Sequence, residues 1–187
     1  MFVIDGNIGS GKTTLLNNLK EKGFNVMLED IEAFKPWLNL YYSNMYKFAL
    51  GFQMEVLLSH INTKPSEDDN ILVERSPLSC IEIFGKHLLD THILSFEEHD
   101  LCVRLNERFG WIPNKIIYIK TDPKICQMRI QERNRNSEEL ISLGYLQAID
   151  KLYNKLYIDN NRFTVHVING NQNKEKVLDD ILNILKQ

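Results

Sequence analysis

Long apolar runs are missing. No stretch approaches the ~18 consecutive apolar residues that a spanning helix needs, so the sequence predicts no membrane partner. Cysteine is scarce, and the three present (Cys80, Cys102 and Cys126) form no C-x-x-C pair. An odd, scattered set argues against a disulfide framework and fits the reduced thiols of a cytoplasmic protein. Neither charge sign is in large excess: 22 Lys and Arg against 25 Asp and Glu leave −3, so no global basic field points to nucleic acid. Internal repeats and low-complexity tracts are absent as well. The first apolar run is one strand long and passes into a glycine-rich turn, so it reads as a strand rather than a signal peptide. What remains is ordinary globular composition, 43% hydrophobic over 187 residues, which predicts one domain spanning 1–187.

Gly6 to Thr13 match G-x-x-x-x-G-K-[ST], between an apolar strand and an amphipathic helix. Each residue type has a physical task. Glycines let the backbone curl so that successive N–H groups converge on a polyphosphate. The helix beginning near Lys12 adds its positive end. Lys12 supplies charge for the β- and γ-phosphates, and the Thr13 hydroxyl suits Mg2+. The ATP-binding residues are therefore expected to be Gly6, Asn7, Ile8, Gly9, Ser10, Gly11, Lys12, Thr13 and Thr14.

Hydrophobic periodicity predicts strands at Phe2–Asp5, Phe24–Leu28, Ile71–Val73, Lys115–Lys120 and Phe163–Ile168. A helix to about Lys22 is closed by Gly23. Pro36 reads as part of a loop before one long helix, Trp37 to His60. Further helices are predicted at Pro77–Leu89, from the Ser95–Glu98 capping box to Phe109, from Asp122-Pro123 into a basic stretch, at Glu138–Tyr157, and from Asn173 onward. Strands alternating with helices predict an α/β fold: a five-stranded parallel sheet covered by helices on both faces. In such sheets ligands gather at the carboxyl ends of the strands.

Three polar groups stand at those ends. Glu29 follows the second strand and can accept the proton that a hydroxyl loses on attacking a γ-phosphoryl group, with Asp30 and Glu32 as rivals. Glu74-Arg75 closes the third strand. The carboxylate can join Thr13 around Mg2+, and Arg75 can hold Glu29; the plainer reading is a buried ion pair. Arg129, Arg133 and Arg135 recur near a helix end and can meet the charge that spreads over phosphoryl oxygens, as an arginine-bearing lid at about 129–139.

In order, the chain carries GNIGSGKTT, Glu29-Asp30-Ile31, Glu74-Arg75-Ser76 and an arginine stretch followed by acids. In this it resembles the deoxyribonucleoside kinases, P-loop kinases of thymidine, deoxycytidine and deoxyguanosine, from residue 2 to about 157. The resemblance implies that Glu29 is the general base, with Lys12, Arg75, Arg129, Arg133 and Arg135 assisting transfer and Thr13 and Glu74 beside Mg2+. It implies ATP as donor and a deoxynucleoside as acceptor. The acceptor site would hold Phe34, at the place of a customary Trp, or Trp37 in its stead, with Tyr42 on the 3′-hydroxyl beside Glu138, or Glu139 if the register slips by one. Gln53 would meet the base edge, Phe52 and Phe84 the base faces, and Val56, His60 and Cys80 the surroundings. It also implies a homodimer through helices flanking the base site.

A nucleoside monophosphate kinase such as a thymidylate kinase shares this kind of loop, but its acceptor phosphate calls for cations where Glu29 and Asp30 stand. A GTP-binding switch is disfavoured by the lack of Asn-Lys-x-Asp and D-x-x-G segments. Relatives that favour deoxycytidine or purines carry an Arg–Asp pair where this chain has His60 and Cys80. Neither residue rebuilds that pair, and a small Cys80 leaves room for a thymine methyl. The expected acceptor is therefore a pyrimidine deoxynucleoside, thymidine favoured and deoxycytidine tolerated.

Overall fold

In the computed structural model, which describes residues 1–65, 71–133, 141–159 and 162–186, five short apolar stretches pair as parallel strands. They are β1 (Phe2–Asp5), β2 (Asn25–Met27), β3 (Ile71–Glu74), β4 (Lys115–Lys120) and β5 (Thr164–Asn169), in the order β2-β3-β1-β4-β5. The register sets Val3 beside Val73 and Ile116, so β1 lies at the centre of the sheet. Its residues divide by the two-residue period of a strand. Ile4 joins Leu72, Ile117 and Ile119 beneath α1 (Lys12–Glu21) and α9 (Lys174–Leu185). The opposite face carries Tyr118, which stacks on Tyr153 of α8 (Leu143–Tyr157) with ring centroids 5.4 Å apart. Helix α7 (Pro123–Arg133) packs beside α8 through Cys126, Ile130 and Leu146. The expected parallel α/β sheet is thus present.

These elements form one compact unit, built from the residues before Glu29, the β3 strand, and the chain from Pro113 onward. A second unit comprises Glu29–Pro65 and Arg75–Ile112 and is wholly helical in its regular structure. It holds α2 (Ile31–Ser43), α3 (Met45–Asn62), α4 (Pro77–Ser79), a π-helical turn (Cys80–Gly85), α5 (Lys86–Asp90) and α6 (Phe96–Phe109). The Ser95–Glu98 capping box opens α6 as expected.

Three helix expectations need correction. The single helix from Trp37 to His60 is two helices, and Pro36 lies inside the first rather than in a loop. Asp30 starts α2 early: its side chain accepts the Ala33 N–H at 3.2 Å, and Pro36 then removes only one bond of the ladder. Asn44 ends α2 with extended backbone and caps α3, accepting the Lys47 N–H at 3.1 Å. An Asn side chain competes for backbone partners in this way, so it breaks what hydrophobic periodicity alone makes continuous. The break lets α2 fold back so that Trp37 lies on Gly51, where a Cβ would overlap its ring. Fourteen residues of unbroken helix would hold those two about 21 Å apart.

The second correction is the π turn inside the helix expected at Pro77–Leu89, where the Gln53 side chain enters the backbone ladder at Cys80. The third is the start of α8: Ser142 caps it through the Tyr145 N–H at 3.1 Å, so it begins at Leu143 rather than Glu138. Arg135, Glu138 and Glu139 lie outside the described residues. Among the described residues no helix is long and apolar enough to cross a membrane.

Candidate active site

The turn between β1 and α1 is shaped by its glycines. Gly9 has φ +78°, and a Cβ there would run into the Cys126 carbonyl; Gly11 has φ +101° and stands at the N-cap of α1. Helices α2, α3, α6, α8 and α9 are each capped by an Asp, Asn or Ser side chain. Helix α1 has no side-chain cap, so its first amides are left for a ligand. The Lys12 ammonium, nearly buried, donates to the Gly6 and Asn7 carbonyls, both at 2.9 Å, and closes the turn into a ring. The Asn7 side chain fastens the loop to α8 through the Leu146 carbonyl at 2.8 Å.

Beneath the loop lies a support that no motif announces. Asp5 is fully buried and accepts three bonds: the Gly6 N–H at 2.8 Å and the Tyr153 and Tyr157 hydroxyls, both at 2.7 Å. Burial, reinforced by the Asp5 charge, holds the Tyr157 hydroxyl well above its usual titration range, so it stays a donor. The only sequence signal was an acid ending a buried strand, which reads equally well as a strand terminus.

Thr13 donates its hydroxyl to Glu74 Oε1 at 2.7 Å, bringing together the two residues expected around Mg2+. Both are hard oxygen donors beside the phosphate turn, a set that fits this ion. Arg129 donates to the Ser10 carbonyl at 3.1 Å and the Gly170 carbonyl at 3.0 Å, so this arginine is anchored rather than free. With Arg133 it lines a cavity that also has Gly11, Thr14, Asn18 and Gln172 on its walls.

The second unit gathers its own set. Glu29 Oε2 accepts from the Arg75 guanidinium at 2.6 Å, and its Oε1 lies 3.5 Å from His60 Nε2; all three side chains are nearly buried. Arg75 has φ +63°, strained for a residue with a side chain, and such strain persists where surrounding contacts over-determine it. Its guanidinium lies over the Phe84 ring at 5.0 Å. The Trp111 indole donates to the His60 carbonyl at 2.9 Å and pins the end of α3. His60 at the side of Glu29 was not foreseen, because the contact joins residues far apart in the chain.

Gln53 is buried, and its Nε2 donates to the Cys80 carbonyl at 2.6 Å with Cys80 Sγ at 3.2 Å. Burial pushes the Cys80 thiol far above its usual range. Phe52 stacks on Tyr41 at 5.0 Å and meets Phe34 edge-on at 6.2 Å, while Tyr42 sits against Tyr41 at 5.6 Å. Val56 packs around Leu57, Cys80 and Cys102.

The family model for "Deoxynucleoside kinase" matches residues 2–187. The chain belongs to the deoxynucleoside kinase family. It is an ATP-dependent nucleoside kinase. Among curated relatives, a putative kinase protein, 143R, of Invertebrate iridescent virus 6 is 32% identical over 184 residues, covering 97% of this chain and 94% of that one. Human mitochondrial thymidine kinase 2 is 30% identical, over 96% of this chain and 74% of its own. A solved structure of deoxyadenosine kinase from M. mycoides superposes with TM-score 0.88 at 23% identity, over 99% of this chain and 98% of that one. The P-loop kinase fold of these deoxynucleoside kinases is the fold seen here.

Proposed function

We propose that the protein transfers the γ-phosphoryl group of ATP to the 5′-hydroxyl of a deoxynucleoside, a pyrimidine with thymidine favoured and deoxycytidine accepted more weakly. The observation that carries the reading is the nearly buried Glu29 carboxylate held by Arg75. A hydroxyl acceptor needs a base and an acceptor phosphate needs cations; a carboxylate in this place favours the hydroxyl.

Glu29 takes the 5′-hydroxyl proton as that oxygen bonds to the γ-phosphorus and the bond to the β-phosphate oxygen breaks, releasing ADP. Arg75 orients Glu29 through the contact at 2.6 Å. Lys12 and the amides of 6–14 hold the β- and γ-phosphates. Thr13 and Glu74 would hold Mg2+, which supplies charge neutralisation at those phosphate oxygens. Arg129 and Arg133 face the donor, and the cavity they line suits the donor nucleoside. Arg135 is proposed to assist transfer, and Tyr42 and Glu138 to hold the 3′-hydroxyl. Gln53 reads the base edge between Phe52 and Phe84, with Phe34, Val56, His60 and Cys80 around it. We also place the protein in the cytoplasm as a homodimer; light scattering near 22 kDa across micromolar concentrations would reject the dimer.

The test is transfer of labelled phosphate from ATP to each of four deoxynucleosides and to thymidylate. Label on thymidine, with less on deoxycytidine, is expected. Label on thymidylate alone would overturn the reading.

A further inference from the structure

We propose that Gln172, in the loop between β5 and α9, selects the phosphoryl donor: its amide offers only an oxygen to the cavity beside the phosphate turn, and so favours a donor base with an amino group over one with a keto group. The inference rests on that cavity holding the donor nucleoside, as read above.

A side-chain amide has an acceptor at one end and two donors at the other, and one that turns over freely serves either kind of base. Gln172 is not free to turn. Its Nε2 gives one N–H to the Asn169 carbonyl and the other to Asp180 Oδ2, each at 3.1 Å. Both partners only accept. The Lys176 ammonium, 2.6 Å from Asp180 Oδ1, and then the Gln172 N–H hold the Asp180 carboxyl below its usual range, so it has no proton to give. Turning the amide over would set Oε1 against a carbonyl and a carboxylate oxygen at once and leave both without this donor.

The loop that carries Gln172 is itself held. Gly170 donates its N–H to the Lys120 carbonyl at 2.8 Å and accepts from Arg129 at 3.0 Å, and Asn171 Oδ1 accepts the Asp122 N–H at 2.8 Å. Gln172 therefore stands half-buried on a fixed segment, in a cavity wall shared with Gly11, Thr14 and Asn18. Among the described residues no group donates to Gln172 Oε1, so this oxygen is what remains for a ligand. Two other polar side chains line the cavity. Asn18 makes no side-chain hydrogen bond among the described residues, so its amide adapts to whichever base arrives. Lys174 is exposed and lies 3.9 Å from Glu175 Oε1, where solvent weakens its pull on a keto oxygen.

Purines divide on such a fixed acceptor. Adenine carries an amino group at C6 beside a bare N1, and its N–H can meet Gln172 Oε1. Hypoxanthine carries a keto oxygen at C6 beside N1–H, which sets acceptor against acceptor. The two bases differ only at that edge.

The test measures the dissociation constants of ATP and ITP, each with Mg2+, by calorimetry and without a phosphoryl acceptor. ATP should bind the wild-type protein roughly tenfold more tightly, the scale of one acceptor left facing another. Gln172→Met keeps the length without the amide; it should weaken ATP, spare ITP and bring the ratio close to one. Equal affinities in the wild type overturn the proposal, and so does a wild-type preference that survives Gln172→Met. Asn18→Phe narrows the cavity and leaves Gln172 in place, so it should weaken both nucleotides together. Unchanged affinity for both in that variant would instead overturn the donor reading of the cavity.

Discussion

The phosphate turn and the Glu29 cluster are built in opposite ways. The turn is one contiguous segment, closed by Lys12 on its own carbonyls, with its helix left uncapped. Its geometry is local, and the glycine spacing announces it. The Glu29 cluster draws on three separated stretches, at Glu29, His60 and Arg75. Glu29 precedes α2 and His60 lies near the end of α3, so their meeting depends on the break at Asn44, which has no periodic signature. A backbone site can thus be read from spacing, whereas a side-chain site must be assembled by tertiary structure. The two should also fail differently: the turn through donor binding, the cluster through transfer.

Lys12→Ala should give the largest effect, a fall in kcat/KM on the order of 10³-fold with weakened ATP binding, because it removes both the phosphate charge and the closure of the turn. Calorimetric titration with ATP beside steady-state rates checks this. Intact ATP affinity would erase the contrast between the regions.

Gly51→Ala sharpens the contrast from the other side. A methyl there meets the Trp37 ring, so overpacking between α2 and α3 should cost about 2 kcal/mol, read as a lowered Tm. ATP affinity of the folded fraction should not move.

His60→Leu should lower kcat by up to about tenfold with little change in nucleoside KM, the worth of one weak contact to a charged group. His60→Gln, which can restore an N–H, should recover most of the loss. Equal loss in both variants would make His60 a packing residue only.

A last effect, on chemical reactivity rather than turnover, concerns the thiols. Burial pushes Cys102 and Cys126 up to about 11 and Cys80 further, so the reactive thiolate appears only at higher pH than usual. Native protein at pH 8 should react with a thiol reagent about 100-fold more slowly than an ordinary cysteine, and all three should react after unfolding.

The same contrast explains what the sequence made legible. The strands, the phosphate turn and its partners Thr13 and Glu74 follow from local pattern and strand-end position. Asp5 beneath Tyr153 and Tyr157 did not, because a buried acid looks like a strand end until α8 is packed on it. Pro36 misled because the Asp30 cap outweighs one lost ladder bond. His60 beside Glu29 and Gln53 on Cys80 were invisible for another reason: each joins distant segments with no spacing rule between them.

As the proposed base, Glu29 is expected to serve the acceptor and not the donor. Glu29→Gln keeps the shape and the bond to Arg75 but cannot take the proton. ATP affinity and single-turnover transfer to thymidine should be measured on the same preparation. ATP affinity should stay within about twofold of wild type while transfer slows on the order of 10²-fold or more. Near-full transfer in Glu29→Gln, or a loss wholly explained by weaker ATP binding, would contradict it.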